Sequence, residues 1–364
     1  MAGRIVIFGA TGYTGKLTAE AVVGAGGKPL LAGRNTESLE ALAKELGDLE
    51  TAEADVTDPA SVRGLLGPGD VMVSTVGPFA RWGAPAVEAV IDAGLPYLDS
   101  TGEPAFIRRV FEEWGQKAEA AGAPLLTAQG YDWVPGNLAA ALALREAEGE
   151  ARSVRVGYFM TGSGGMSGGT MSSLAGALLE PHFAYRDGRL VTEPAGRRVA
   201  SFSVRGKSRQ AVSIGSSEHL TLPRLEPGLT DVEAYLGWFG PLSRPLQVSS
   251  FALGAVAKLP PARRGIEALL GRFVKGSTGG PDAAERAAGG SHFVASAHGP
   301  DGEQLAEVRL EGVDGYTFTA AFLAWAAERA LAGEIEGAGA LGPAEAFGLD
   351  ELERGVAAAG ITRA

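Results

Sequence analysis

The sequence predicts an α/β chain in which a doubly wound parallel sheet comes first and a second, α+β domain on a mostly antiparallel sheet follows. Three observations carry that expectation. Residues 5–8, Ile-Val-Ile-Phe, are apolar without interruption, as a strand covered on both faces requires. Strand-like and helix-like segments then alternate through residue 128, the pattern of a parallel sheet with helices on both sides. Beyond Arg152 the texture changes to closely spaced strand-like runs, which suit an antiparallel sheet.

The first strand leads at once into three glycines and an amphipathic helix that runs to about Ala25. Gly9 permits a sharp turn, Gly12 lets backbone amides approach a pyrophosphate, and Gly15 lets the helix lie close to the sheet. The helix points its positive end at the phosphates. Thr11, Tyr13 and Thr14 complete the turn and are read as cofactor contacts with it. The spacing, G-x-x-G-x-x-G, is one residue wider at the start than the G-x-G-x-x-G fingerprint of Rossmann-type domains. Dinucleotide binding is the expectation, against a glycine-rich turn that binds nothing.

A second strand at residues 29–32 ends in Gly33, Arg34 and Asn35. No acid stands where NAD-specific folds place one for the ribose hydroxyls, and the planar fork of Arg34 suits the 2′-phosphate of NADP. The alternative is a solvated surface arginine. Asn35 is read as a contact beside it, while Asn35 or Thr36 also suits the cap of a helix at 37–46. A third strand, 51–54, ends at Asp55, which either reaches the adenine edge or caps the turn at 56–58. A helix opens at Pro59 with Asp58 as its cap, and a strand follows at 71–75. Ligands in such sheets lie beyond the carboxyl ends of the strands, so Thr75, Val76, Gly77 and Pro78 should line the nicotinamide half of a site. Strands at 97–98 and 125–128 run into two more polar loops, 99–103 and 130–137.

Together G-A-T-G-Y-T-G, the G-R-N after the second strand, S-T-V-G-P-F, Y-L-D-S-T-G-E and G-Y-D-W-V-P-G-N-L resemble the saccharopine dehydrogenase-like oxidoreductases, and most of all their trans-acting enoyl reductase branch. S-G-G-T at 167–170, G-P-D-A-A-E-R at 280–286 and G-P-A-E-A-F-G at 342–348 agree, in order along nearly the whole chain. The resemblance implies hydride transfer from NADPH to an enoyl thioester on a carrier, with an imine as second option. It implies C-terminal helices that return to the nucleotide domain, so that residues 1–135 plus 319–364 form the NADP-binding domain and 136–318 the substrate domain. It also implies a cleft role for the loops bearing Tyr131, Asp132 and Ser167, the candidate catalytic residues; no spacing argument picks one of them as proton donor.

In the second half, strands are expected at 154–159, at 199–204 and 209–214 joined across 205–208, and at 234–239, 291–297 and 305–311. A glycine-serine loop, 162–170, is followed by a helix to 179; it either presents amides to a ligand, or Ser167 or Thr170 simply caps that helix. Residues 251–259 and 265–274 read as helices, 275–290 as an exposed loop, and 319–332 and 345–359 as closing helices. Phe79 and Trp133 are expected as apolar walls of the cleft, or else Trp133 packs the core. The charge of Asp132 is expected to be held by the amides that open the helix after Pro135, or else Asp132 only caps that helix.

Composition narrows the function classes. A chain of 364 residues with 45% hydrophobic and 21% charged content can bury the core of two domains. A formal net charge of -11 argues against a nucleic-acid partner. The lack of cysteine removes disulfides, thiolate zinc sites and a cysteine nucleophile, and fits a reducing compartment. The first strand begins within a few residues of the N-terminus, leaving no room for a signal peptide, and no apolar run nears the ~20 residues of a membrane span, so the cytoplasm is expected. His182, His219, His292 and His298 show no metal spacing, no Tyr is followed four residues later by Lys, and there is no G-x-S-x-G elbow. Two readings follow: an NADPH-dependent reductase of a small-molecule or acyl-thioester substrate, or an NADP-sensing or scaffold protein without catalysis. A homodimer stays open. A formed pocket beside the nicotinamide separates the two readings.

Overall fold

β1 (Ile5–Phe8) lies inside a seven-stranded parallel sheet and feeds two separate cores. Ile5 and Ile7 join one buried cluster and Val6 and Phe8 the other, so the strand is covered on both faces, as its unbroken apolar run requires. The computed structural model describes residues 3–162, 167–168, 170, 180, 182–238, 243–244, 247 and 279–364.

The chain continues through α1 (Tyr13–Gly24), β2 (Leu30–Gly33), α2 (Thr36–Glu45), β3 (Thr51–Glu53), α3 (Pro59–Arg63) and β4 (Val71–Ser74). Then come α4 (Phe79–Trp82), α5 (Ala84–Ala93), β5 (Tyr97–Asp99), α6 (Pro104–Arg109), a π-helical turn (Val110–Trp114), α7 (Gly115–Ala121), β6 (Pro124–Leu126) and α8 (Val134–Glu146). The sheet runs β3, β2, β1, β4, β5, β6, with a two-residue strand from the C-terminal region beside β6. The order reverses between β1 and β4, which makes their carboxyl ends the switch point where such sheets take ligands.

The second sheet is built from β7 (Ser153–Thr161), β8 (His182–Arg186), β9 (Arg189–Glu193), β10 (Val199–Val204), β11 (Lys207–Ser213), α9 (Glu218–Leu225), β12 (Asp231–Leu236), α10 (Ala283–Ala288), β13 (Gly290–His298) and β14 (Gln304–Gly312). The chain closes with α11 (Gly315–Leu331), β15 (Gly339–Ala340), α12 (Pro343–Phe347), α13 (Leu349–Ala358) and β16 (Ile361–Arg363). The strand order is β10, β11, β12, β7, β13, β14, β16, and the β8–β9 hairpin joins at β12. Among the described strands of this sheet, only β7 and β12 pair in parallel.

α8 is buried at every position from Val134 to Leu144, the state expected of a helix that is apolar all round. It lies on β7, β13 and β14. At Gly136 the approach is so close that a Cβ would sit 1.8 Å from the Tyr158 hydroxyl. On the first sheet, α11 packs against α1 and strands β1, β4 and β5. One continuous cluster, from Ile7 and Val73 through Leu138 to Val154, Phe293 and Phe318, joins the inner faces of both sheets.

Several expectations need correction. The turn between β10 and β11 is only Arg205-Gly206, both at positive φ (49° and 73°), so pairing starts at Lys207 and the strand does not wait for residue 209. The expected loop at 275–290 contains α10, held by a capping box between Asp282 and Glu285. The closing helices begin elsewhere: α11 starts four residues earlier than expected because Asp314 caps it, and a break at Gly348 separates α12 from α13. β8, β9, α9, β15 and β16 were not expected. The helices expected at 251–259 and 265–274, the one running to 179, and residues 275–278 and 239 of the expected loop and strand lie outside the described residues.

Candidate active site

The glycine turn after β1 is shaped as a cradle. Gly9 has φ +92°, and a Cβ there would stand 2.8 Å from Thr75 Oγ1 and 2.9 Å from Val76 Cγ2. A Cβ on Gly15 would lie 2.2 Å from the Gly9 carbonyl oxygen, so α1 approaches the turn as only glycine allows. The Thr75 hydroxyl donates to the carbonyls of Phe8 (3.2 Å) and Gly9 (3.1 Å), tying the end of β4 to the turn. No side chain caps α1, so its first-turn amides are left for an anion.

In front of this turn runs a cleft of about 490 Å³. Gly9, Thr11, Gly12, Tyr13, Thr14, Arg34, Asp55, Thr75, Val76, Gly77 and Pro78 all line it, with Phe79 and Trp133 on its walls. Gly15 lies beneath the turn and not on the cleft surface. Asn35 is not on that surface either: its side chain accepts from Ser38 N at 2.9 Å as the cap of α2. Asp55 does two things at once. Its carboxylate accepts from the Thr57 amide and hydroxyl, both at 2.7 Å, which lowers its pKa, and it still faces the cleft. Arg34 is exposed at the cleft and makes no ion pair among the described residues. Size, backbone donors and an available cation therefore fit a dinucleotide carrying an extra phosphate.

Two buried carboxylates that the sequence did not single out hold the neighbouring loops. Glu103 accepts from the Phe79 and Ala80 amides at 2.9 Å each. Asp99 accepts from the amides of Thr101 (2.9 Å) and Ala128 (2.8 Å) and from the Thr127 hydroxyl (2.8 Å), binding the loop after β5 to the loop after β6. Burial pushes its carboxyl up to about 6 in spite of those donors.

A second cavity of about 160 Å³ adjoins the cleft and shares Thr14, Ser100, Asp132, Thr170 and Trp238 with it. Tyr131 lines this inner cavity, its ring 5.3 Å from Phe293 and 6.1 Å from Trp238. The Tyr131 hydroxyl is buried next to Trp238, and burial raises its pKa. Its amide is fixed by the Thr319 hydroxyl at 3.0 Å.

Asp132 stands where cleft and cavity meet. Its Oδ1 is buried and has no hydrogen-bond partner among the described residues, and its Oδ2 would lie 2.8 Å from a Cβ on Gly102. Burial, and after it the nearby carboxyl of Glu218, push Asp132 up to about 7. Neither expectation about its charge is met. The residue capping α8 is Trp133, with no side-chain cap bond, so the helix amides do not hold the Asp132 carboxyl and Asp132 does not cap the helix. The Trp133 carbonyl instead takes the Asn137 side chain at 2.8 Å.

Ser167 faces the cleft and not the inner cavity. Its hydroxyl is engaged with Thr170, accepting from that residue's amide at 3.2 Å and lying 3.0 Å from its hydroxyl, while its own amide donates to the Tyr316 hydroxyl at 2.7 Å. Behind the cavity, Tyr158 hydrogen-bonds to fully buried Glu218, whose carboxyl burial pushes up to about 7. His219 is driven down to about 4 by burial and is neutral. Among the described residues no group of three His, Asp or Glu side chains is arranged to hold a metal ion, and no helix is long and apolar enough to cross a membrane.

No family model matches the chain. A trans-acting enoyl reductase of Mycobacterium leprae is 39% identical over 140 residues, 37% of this chain and 34% of that protein. A Mycobacterium tuberculosis protein provisionally given the same name is 38% identical over 182 residues, 47% of this chain and 43% of its own length. The chain thus spans less than half the length of these curated relatives. Among solved structures, the apo saccharopine dehydrogenase (L-Glu forming) of Saccharomyces cerevisiae matches with a TM-score of 0.60 over 97% of this chain and 96% of that one, at 16% identity. In fold the chain is saccharopine dehydrogenase-like, and in sequence it is a relative of the trans-acting enoyl reductases.

Proposed function

We propose that this chain is an NADPH-dependent oxidoreductase that reduces a polarised double bond, in first place the C=C bond of an enoyl thioester and in second place a C=N bond. The carrying observation is Asp132, half-buried at the junction of the cleft and the inner cavity, with an Oδ1 that is buried and has no hydrogen-bond partner among the described residues. The names of the sequence relatives support the enoyl option.

In this reading the glycine turn and the first amides of α1 hold the pyrophosphate, Arg34 takes the 2′-phosphate, and Thr75 to Pro78 flank the nicotinamide. NADPH, when bound, supplies a hydride. The chain supplies the proton. With its pKa near 7, Asp132 carries a proton over much of the neutral range, and among the described residues Oδ1 has no partner competing for it. Tyr131, whose raised pKa keeps its hydroxyl protonated, closes the cavity beside it. A sensor without catalysis would have no use for a cavity here, and the space of about 160 Å³ lined by Gly162, Thr170, Tyr131 and Asp132 supports the enzyme.

The test is NADPH consumption against crotonyl thioester, imine and ketone panels. Turnover of the enoyl thioester, lost in Asp132→Asn, is expected. NADPH binding with no turnover of any of the three classes would favour the sensor.

A further inference from the structure

Glu218 lines neither the cleft nor the inner cavity, yet it is tied to the residue that follows Asp132. It opens α9 and is fully buried. Its carboxyl hydrogen-bonds to the Tyr158 hydroxyl, and that hydroxyl lies 3.1 Å from the Trp133 carbonyl. The same carbonyl takes the Asn137 side chain at 2.8 Å, and that side chain donates to the Ser217 hydroxyl at 2.9 Å and accepts from Thr221 at 2.7 Å. Two arms from the turn that opens α9 thus converge on the carbonyl next to Asp132.

A fully buried carboxyl ordinarily has a cation beside it, and Glu218 has none among the described residues. Its donors are the Tyr158 and Ser216 hydroxyls and its own amide, all neutral. On α9 itself His219 is neutral, and on β8 the His182 Nδ1 accepts the Gly215 amide at 3.3 Å. Arg186 and Arg198, the cations that act on His219, are engaged with Asp231, Glu233 and Glu193. What remains beside Glu218 is Tyr158, with Tyr131 edge-on to its ring, and Asp132. Arg286, Glu285 and Asp314 share the inner cavity with Asp132, but Glu218 is the charged group that acts on its carboxyl.

Asp132 is half-buried and open to the cleft on one side, so burial alone guards its proton incompletely. An acid enclosed behind it supplies the rest, because two carboxyls in one poorly solvated space do not both ionise at neutral pH. We propose that Glu218 is a positioning residue of the reduction: with Tyr158 it fixes the Trp133 carbonyl behind Asp132, and as the second acid of a pair it keeps the proton on Asp132. The inference rests on Asp132 being the proton donor and adds the group that holds the donor ready. The pair carries at most one charge at neutral pH, so when Asp132 gives up its proton Glu218 keeps its own.

The experiment follows protonated carboxyls in the full chain by infrared difference spectroscopy through the range around pH 7 that spans both groups. The Asp132 band, recognised by its loss in Asp132→Asn, should titrate at about 7 in the wild type. In Glu218→Gln it should titrate about one unit lower, the scale of one buried charge, and the pH limb of turnover should move down with it. Glu218→Met removes the acid at similar volume and should give the same shift, so either variant that folds carries the test. NADPH affinity should hold in both. An Asp132 band that titrates unmoved in these variants overturns the inference and leaves Glu218 a packing residue. A band that shifts in a chain without turnover of any substrate supports the acid pair and contradicts the reductase reading.

Discussion

The carboxylate of Glu103 accepts the backbone amide of Phe79 at 2.9 Å and, through its other oxygen, the amide of Ala80 at 2.9 Å. It thereby fixes the end of the Gly77-Pro78 loop from the loop of the neighbouring strand. Glu103→Ala leaves two amides unpaired in a mostly buried place, which should cost about 2–4 kcal/mol in urea unfolding. Glu103→Gln keeps one acceptor oxygen and should lose about half of that. An unchanged unfolding midpoint in the alanine variant would contradict this role.

Gly15 and Gly24 stand at opposite ends of α1 and should respond oppositely to alanine. At Gly15 the added Cβ would meet the Gly9 carbonyl oxygen at 2.2 Å and Thr75 Oγ1 at 2.8 Å, whereas at Gly24 nothing lies within 4 Å. Gly15→Ala should lose about 1–3 kcal/mol by overpacking and weaken NADPH binding as α1 shifts from the turn. Gly24→Ala should gain about 0.4–1 kcal/mol through the unfolded chain. Thermal unfolding of both variants decides it, and a stable Gly15→Ala with full NADPH affinity would remove the cradle from the account.

Asp132 fixes a pH dependence. Its carboxyl lies at about 7 in the folded chain against an ordinary 3.8, so the folded state keeps a proton that the unfolded state releases. Its contribution to stability is complete below the ordinary value and is lost as pH rises through about 7. Turnover should fall along the same limb, because the proton on Oδ1 is lost. Asp132→Asn should abolish turnover, leave NADPH affinity in place, and remove its share of the stability slope, while Glu218 at about 7 and Asp99 at about 6 keep theirs. A pH profile flat from about 5 to 9 would contradict the donor role.

The parts of the site legible in the sequence are those written in local spacing. Residues 5–15 disclose strand, turn and helix together because apolar run and glycines are contiguous, and the loop at 75–78 follows because strand ends collect ligands. The Asp187-Gly188 turn of the β8–β9 hairpin carried a readable signal, both residues having positive φ, and so did the Asp282 and Glu285 capping box inside the expected loop. Glu103, Asp99 and Glu218 were not legible. Their partners lie 24, 29 and 60 positions away, two of them anonymous backbone amides, and such pairings exist only once the fold has formed. The cleft position of Asp132 was expected, but its protonation was not legible for the same reason: the burial and the neighbouring Glu218 carboxyl that push it up to about 7 exist only in the folded chain.

NADPH is proposed to lie in the cleft in front of Gly9 to Gly15 with Arg34 on its extra phosphate. Calorimetric titration of wild type and Arg34→Ala with NADPH and NADH tests this. NADPH should bind wild type about tenfold or more tighter than NADH, and Arg34→Ala should erase the difference by weakening NADPH alone. Tighter binding of NADH, or an NADPH affinity untouched by Arg34→Ala, would contradict it.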